Sequence, residues 1–291
     1  MSRFMQTWLD ARASLEEELA ERITLDALTG SNGACSLDLK DDAGTPAGWL
    51  IAQRKGGHRH SIDDVLTAWY ALQTSSKVTE HLDLGTGIGT VGLLTLWGMG
   101  ADARLTCVEA QEISYRLLQT NLDANGLRHR VDCSHGDLRD LSLGRKFPLI
   151  TGSPPYFPAG SGIIPQDSQK AHARFELRGD VSDYAAAAVR HLAPGGWFVL
   201  CFPTPQKQRA LDGIRAAGLA TVKLRDVIPR ETLEPLFTLF ACRHAAESPH
   251  ETLVEDPLTV REENGRLTAG MAAVRRGFGF ADGEAHGGHG G

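Results

Sequence analysis

The sequence predicts an α/β fold, a doubly wound, mostly parallel seven-stranded sheet carrying a small N-terminal helix/hairpin extension. Three observations carry this expectation. From residue 61 to residue 242 short apolar runs alternate with segments of helix length, and repeated strand–helix–strand units close only as parallel strands with right-handed crossovers. One strand feeds directly into Gly85-Thr86-Gly87-Ile88-Gly89, with glycine at every second position and an apolar helix behind it. Acids stand at the ends of successive strands: Asp83, Glu109 and Asp137.

The chain of 291 residues is long enough for one large domain or two smaller ones, and its 42% hydrophobic and 23% charged residues match an ordinary globular protein. Thirty Lys and Arg against 36 Asp and Glu give a formal charge of −6, which excludes a generally polycationic nucleic-acid binder and leaves room for a local basic patch. Five cysteines (Cys35, Cys107, Cys133, Cys201, Cys242) form no CxxC pair. A reducing compartment without disulfides or a zinc site is expected, and no metal site at all.

Residues 2–28 read as an amphipathic helix, with Trp8, Leu15, Leu19 and Ile23 on one side and Glu16, Glu17, Glu18 and Glu21 on the other. Residues 35–40 and 49–53 alternate as two strands of a hairpin around Asp41-Asp42-Ala43-Gly44. A basic cluster follows, Arg54, Lys55, His58, Arg59 and His60. Helices are then expected at 62–72, 91–97, 113–124, 183–192 and 206–217, and strands at 80–84, 105–108, 131–134, 147–151, 197–202, 221–227 and 236–242. The last two strands lack a helix between them and should pair antiparallel. Residues 253–260 read as a further strand and 267–274 as a short helix. The expected division is an extension at 1–60, a catalytic domain at 61–276 and a disordered Gly/His tail at 277–291. No signal peptide is visible, and the uncharged run 84–101 holds six glycines, so a nucleotide-type loop and helix explains it better than a membrane span. A cytoplasmic protein is the expectation.

The glycine spacing decides between two ligand classes. A dinucleotide fingerprint GxGxxG would need glycine where Thr90 stands. The run Asp83-Leu84-Gly85-Thr86-Gly87-Ile88-Gly89 resembles motif I of the class I S-adenosylmethionine-dependent methyltransferases, a Rossmann-like family. The resemblance implies S-adenosyl-L-methionine as cofactor, held at Asp83, Gly85, Thr86, Gly87 and Gly89. Glu109, about 20 residues on, is placed to take the ribose hydroxyls. Asp137 would meet the adenine.

A second motif, Ser153-Pro154-Pro155-Tyr156-Phe157, closes the fourth strand. Two prolines stiffen the backbone and leave their neighbouring carbonyls free to accept. An amino nitrogen conjugated to a ring, or an amide nitrogen, has a delocalised lone pair, and a site must hold both its hydrogens to aim that pair. Ser153 and the Pro154 carbonyl are suited to accept them, while Tyr156 or Phe157 stacks on the planar group. The motif resembles the (Asn/Asp/Ser)-Pro-Pro-(Tyr/Phe) signature of methyltransferases acting on planar amino nitrogens, with serine where the commonest form has asparagine.

Residues 55–69, 169–175 and 253–274 further resemble the bacterial tRNA(Val) adenine-N6 methyltransferases. That resemblance implies adenine-N6 methylation of structured RNA such as tRNA. It places Asp63, or its neighbour Asp64, at the cofactor's methionine end. Lys170, Arg174 and Arg59, together with Phe157, become substrate-binding candidates, with Arg54, Lys55 and Arg178 as further phosphate contacts. Two other readings stay open. One is methylation of a protein glutamine amide or a small planar amine or amide, and the other is a non-catalytic cofactor-binding partner subunit.

Overall fold

The computed structural model describes residues 3–31, 48–75, 77–158, 160–248 and 251–281. In chain order the elements are α1 (Arg3–Leu19), β1 (Ile23–Ala27), β2 (Leu50–Arg54), α2 (Ile62–Thr74), β3 (Glu80–Leu84), α3 (Thr90–Met99), β4 (Arg104–Glu109), α4 (Glu112–Ala124), β5 (Val131–His135), β6 (Phe147–Gly152), α5 (Ser168–Arg174), α6 (Val181–His191), β7 (Leu192–Pro203), α7 (Lys207–Ala216), β8 (Leu219–Ile228), β9 (Phe237–His244), β10 (Leu253–Thr259) and α8 (Ala269–Gly277).

Eight strands form one sheet in the order β10-β8-β9-β7-β6-β3-β4-β5. All neighbours are parallel except the two pairs made by β9, with β7 and with β8. The sheet is therefore the expected one plus an eighth strand: β10 joins the edge beside β8. The order reverses between β3 and β6, and an α/β sheet opens its binding crevice at such a point, outside the carboxyl ends of the strands. One face packs on α2, α3, α4, α8 and the N-terminal segment, through residues such as Leu66, Leu93, Leu117 and Met271. The other packs on α6 and α7, through Val181, Ala185, Ala210 and Ile214.

The N-terminal segment departs from its expectation. The helix ends at Leu19, and Ile23, which helical spacing would have continued, begins a strand that pairs antiparallel with β2. The expected hairpin strand at 35–40 lies outside the described residues. The β1–β2 pair is fastened to α4 by side chains: Asn121 Oδ1 accepts from Ala52 N (2.8 Å), Asn125 Oδ1 accepts from Leu50 N (3.1 Å), and Asn121 Nδ2 reaches the Ile88 carbonyl (3.0 Å). Residues 277–281, which the sequence assigns to the tail, instead end α8 and pack on the body. Phe278 and Phe280 are buried, because Gly30 lets the chain pass against Gly279 and Gly30 N donates to the Phe278 carbonyl (2.8 Å). Residues 282–291 lie outside the described residues. Cys107, Cys133, Cys201 and Cys242 are free thiols, and among the described residues no helix is long and apolar enough to cross a membrane.

Candidate active site

The glycine loop leaves β3 and enters α3 with Gly85, Gly87 and Gly89 all at positive φ (60°, 59° and 101°). The three glycines face different surroundings. A Cβ on Gly85 would lie 2.0 Å from the Tyr184 hydroxyl, whereas one on Gly87 would meet nothing within 4 Å. Gly87 thus presents bare backbone to open space, which is how glycine lets a ligand approach the chain. Glu109 fixes the loop: its carboxylate accepts from Gly87 N (2.8 Å) and Gln111 N (2.7 Å). Burial pushes the Glu109 carboxyl up, against those two bonds.

Asp83 lies under the loop. It accepts from Thr86 Oγ1 and Thr151 Oγ1, both at 2.5 Å, and burial raises its carboxyl to about 6 against those hydrogen bonds. Thr151 Oγ1 also meets His81 Nε2 at 2.7 Å, and burial lowers that imidazole to about 3. Asp83 therefore braces β3, β6 and the loop.

The proline motif comes directly after β6. Prolines donate no backbone hydrogen bond, so the segment is anchored through the residues next to them. Tyr156 N and Phe157 N both donate to the Arg174 carbonyl (3.0 and 2.9 Å), and Glu176 N donates to the Phe157 carbonyl (2.9 Å). Gln206 Nε2 donates to the Tyr156 carbonyl (2.8 Å). The Tyr156 hydroxyl donates to Asp63 Oδ2 (2.5 Å), its ring meets Phe202 edge-on, and burial holds the phenol well above its ordinary range.

A third wall comes from the segments around residues 54–60 and 167–174, in which the sequence marks Arg54, Lys170 and Arg174 only as substrate or phosphate contacts. α5 is N-capped by Asp167 and held by Arg54, which bonds Asp167 Oδ2 (2.7 Å), Gln169 Oε1 (3.2 Å) and Glu21 Oε2. Gln169 is buried and donates to Ser114 Oγ (3.2 Å). His58 and His60 turn inward, and burial lowers both imidazoles, His60 to about 4.

These walls enclose one cleft at the carboxyl edge of the sheet. Of the cofactor candidates, Asp83, Gly85, Thr86, Gly87, Glu109 and Asp137 line it, as do Ser153 and Pro155 from the proline motif. Gly89 sits behind, capping α3 with its amide bonded to the Thr86 carbonyl (2.9 Å). Asp64, not Asp63, faces the cleft, because Asp63 is turned to Tyr156 and Ser61. Asp137 is held below its ordinary range by Arg139, whose Nη2 lies 2.7 Å away. Pro154 is buried and Tyr156 half-buried beside the cleft, while Phe157 is exposed outside it. Arg59 is spent on Asp26 (3.0 Å) and Thr24 (2.8 Å), which separates it from the other substrate candidates. Lys170 and Arg174 make no ion pair among the described residues and act electrostatically on His58.

The sequence reading missed Gln111, Ser114, Gln169, His172, Arg178 and Tyr184 as cleft residues. Gln169 and His172 lie in the segment 169–175 that resembles the tRNA(Val) adenine-N6 methyltransferases, and Arg178 is an expected phosphate contact, whose Nη1 here donates to the Ala110 carbonyl (2.7 Å). Among the described residues no group of three His, Cys, Asp or Glu side chains is placed to hold a metal ion.

The profile of the family described as Methyltransferase small domain matches residues 64–211, about half of the chain and all of the loop, strand-end acids and proline motif. The chain belongs to that family. This methyltransferase is 26% identical over 196 residues to the tRNA1(Val) (adenine(37)-N6)-methyltransferase of Glaesserella parasuis, covering 67% of this chain and 79% of that one. It is 24% identical over 233 residues to the protein of the same name from Klebsiella pneumoniae, covering 79% and 91%. In fold it is similar to the crystal structure of a predicted O-methyltransferase from Agrobacterium tumefaciens, with TM-score 0.55, 17% identity, and coverage of 74% and 96%.

The methyltransferase depends on S-adenosylmethionine, and its cleft fits that donor in three ways. The open face of Gly87 leaves room over the loop. Glu109 has one bond to each oxygen and so retains acceptor capacity for a diol. Asp64 meets no cation in the described structure, and burial together with Asp63 holds its carboxyl well above the ordinary range. A buried acid in that condition suits a positively charged ligand.

Proposed function

We propose that this methyltransferase acts on the N6 amino group of an adenine in structured RNA, with tRNA as the favoured substrate. The observation that carries the reading is that Ser153 and Pro155 line the same cleft as Gly87, Glu109 and Asp137. A motif suited to a planar amino nitrogen thereby shares one space with a motif suited to the donor. The activity named for the relatives from Glaesserella parasuis and Klebsiella pneumoniae supports the substrate.

In this proposal Glu109 holds the ribose, Asp137 and Leu138 border the adenine, Gly85 to Gly87 lie under the methionine part, and Asp64 takes its ammonium. Once bound, S-adenosylmethionine supplies an electrophilic methyl on a sulfonium. Ser153 Oγ and the Pro154 carbonyl accept the two hydrogens of the target amino group, which leaves its lone pair pointed along the cleft. Tyr156, beside the cleft, offers its aromatic face to the extruded base, a contact worth about 1–3 kcal/mol. Lys170 and Arg174 meet phosphates outside. Most of the rate then comes from positioning and electrostatics. The catalytic unit in this reading takes in residues before 61, since His58, His60 and the Arg54 clasp on α5 belong to the cleft wall.

The test is nucleoside mass spectrometry of tRNA and rRNA from cells with and without the protein. Loss of N6-methyladenosine from one RNA is expected on deletion, and an unchanged level in every RNA refutes the substrate. Incubating labelled donor with separated RNA and protein fractions should label RNA; label confined to protein would favour an amide substrate.

A further inference from the structure

Cys107 and Cys133 stand directly opposite one another on β4 and β5, in the register row that also holds Asp83. Register partners on neighbouring strands send their side chains to the same face, and here the Cys107 thiol bonds the Cys133 sulfur. The two differ in access. Cys107 is fully buried, on a strand with neighbours on both sides. β5 is the edge of the sheet, and Cys133 is only half-buried there.

The surroundings of Cys133 favour its thiolate. Gln119 Nε2, from α4, donates to the sulfur (2.6 Å). Arg128, itself paired with Asp123, bonds Gln119 Oε1 and so fixes the way that amide faces. The Tyr115 hydroxyl, from the first turn of α4, also bonds the sulfur, and its ring stacks on His135 at 4.8 Å. The Cys107 bond, set against burial and joined by Gln119, Arg128 and Tyr115, lowers the Cys133 thiol to about 6. The same bond, with burial, holds the Cys107 thiol well above its ordinary range. Cys201 and Cys242 are fully buried, and burial raises both thiols. A thiolate is the reactive form of cysteine, and an accessible thiolate beside a second thiol is the arrangement of a redox-sensing pair.

We propose that Cys133 and Cys107 are a modification site for hydrogen peroxide, which closes a reversible disulfide beneath the cleft and weakens donor binding. The Cys133 thiolate attacks a peroxide oxygen: the S–O bond forms, the O–O bond breaks, and the leaving hydroxide is protonated to water. The Cys107 sulfur then attacks the Cys133 sulfenic acid: the S–S bond forms, the S–O bond breaks, and the hydroxyl leaves as water with the Cys107 proton. Two thiols lose two electrons, and one peroxide is reduced to two waters. Paired strands lie about 4.8 Å apart, inside the Cα separation of about 4.4–6.8 Å that a disulfide spans. Bridged Cβ atoms sit about 3.8 Å apart, so closure draws β4 and β5 together at this row. Glu109 is two residues further along β4, and its carbonyl accepts from Gly136 N (3.0 Å), next to Asp137. Both acids line the cleft, so the strand shift reaches them directly.

The experiment treats the full chain with hydrogen peroxide, first unaltered and then as Cys35→Ser, since Cys35 lies outside the described residues. The intact mass should fall by two hydrogens, the peptide map should join Cys107 to Cys133, and dithiothreitol should reverse both. Cys107→Ala should stop at a sulfenic acid on Cys133, trapped by dimedone, and Cys133→Ser should give neither product; thermal melting checks that each variant is folded. Limiting iodoacetamide should label Cys133 at least about tenfold faster than Cys107, Cys201 or Cys242. Calorimetry should find S-adenosylmethionine bound about tenfold more weakly after oxidation, because ligand-holding side chains tolerate displacements of only about 0.5 Å. The Cys133→Ser protein should bind donor like the reduced parent, before and after peroxide. A disulfide from Cys133 to Cys35, or oxidation of another thiol ahead of Cys133, overturns the pair. A Cys107–Cys133 disulfide that leaves donor affinity within about twofold overturns the link to the cleft. None of these outcomes depends on the RNA substrate.

Discussion

Two glycines two residues apart should fail in different ways. Both Gly85 and Gly87 sit at φ near +60°, where an alanine costs about 1–2 kcal/mol. For Gly87→Ala that strain is the whole cost to folding, because the new methyl meets nothing within 4 Å. In a chain of this size it lowers the melting temperature by roughly 2–8 °C. The methyl instead occupies the open backbone face where the donor is proposed to lie, and donor affinity should fall by about 100-fold or more, as a displaced ligand loses several contacts at once. For Gly85→Ala the methyl would lie 2.0 Å from the Tyr184 hydroxyl. That ring is buried and lies over Gly152, at a place where even a methyl group on Gly152 would collide with it. Overpacking adds about 1–3 kcal/mol, for a total of about 2–5 kcal/mol. Thermal unfolding reads the first quantity, and calorimetry with S-adenosylmethionine or its demethylated product reads the second. A Gly87→Ala protein that binds donor normally refutes the placement of the donor over this loop. A Gly85→Ala protein as stable as the parent refutes the Tyr184 wedge.

Other perturbations act through single contacts. The bond from Tyr156 to Asp63 should show in a double-mutant cycle of Tyr156→Phe and Asp63→Asn, with a coupling of about 1–3 kcal/mol in kcat and no change in donor affinity, and additive effects would remove Asp63 as a positioning residue. Asn121→Ala leaves Ala52 N and the Ile88 carbonyl unpaired in the interior, so urea titration should show a loss of about 2–4 kcal/mol, with weaker donor binding because Ile88 belongs to the loop. Asp83 and His81 oppose one another in pH. The folded Asp83 carboxyl, at about 6 against 3.8 unfolded, holds a proton that the unfolded chain gives up, so its contribution falls as pH rises from about 4 to 6. The folded imidazole, at about 3 against 6.5 unfolded, acts the other way, and its contribution is lost as pH falls from 6.5 toward 3. His81→Gln should therefore lose on the order of 2 kcal/mol between pH 4 and 6, and Asp83→Asn should gain stability over the same interval; slopes of one sign in both variants would be incompatible with this.

The parts of the fold legible in the sequence are those fixed by local pattern. β3 begins and ends where alternation ends, at Glu80 and Leu84, and α4 closes at Ala124 before Asn125-Gly126. The parts that were not legible depend on distant partners. β1 looks like the end of a helix because its spacing is compatible with both, and what decides is pairing with β2, which begins 23 residues after β1 ends. α5 has seven residues and buries a glutamine and an alanine, so it carries no apolar period to read. His58 and His60 read as part of a basic cluster, yet burial makes them neutral members of the cleft wall. Asp63 and Asp64 are adjacent acids at the start of one helix, and only the helical rotation between them sends one to Tyr156 and the other to the cleft. Residue identity names the chemistry available at a position, but direction belongs to the fold.

Net charge is the wrong variable for judging whether this enzyme can engage RNA. The total of −6 counts acids that never meet the substrate and cations that are already spent. Arg54 is divided between Glu21 and Asp167, and Arg59 is held by Asp26. What a polyanion feels within a Debye length of the mouth, about 10 Å, is the local remainder, and there Lys170 and Arg174 make no ion pair among the described residues. Inside the cleft the sign reverses, with Asp64, Asp83, Glu109 and Asp137 along its wall. A donor bearing a sulfonium and an ammonium is attracted inward, and a phosphate is repelled from the same space. On the proposed RNA reading, a neutral base would enter while its phosphates stay on the rim, as methylation of a flipped-out base requires.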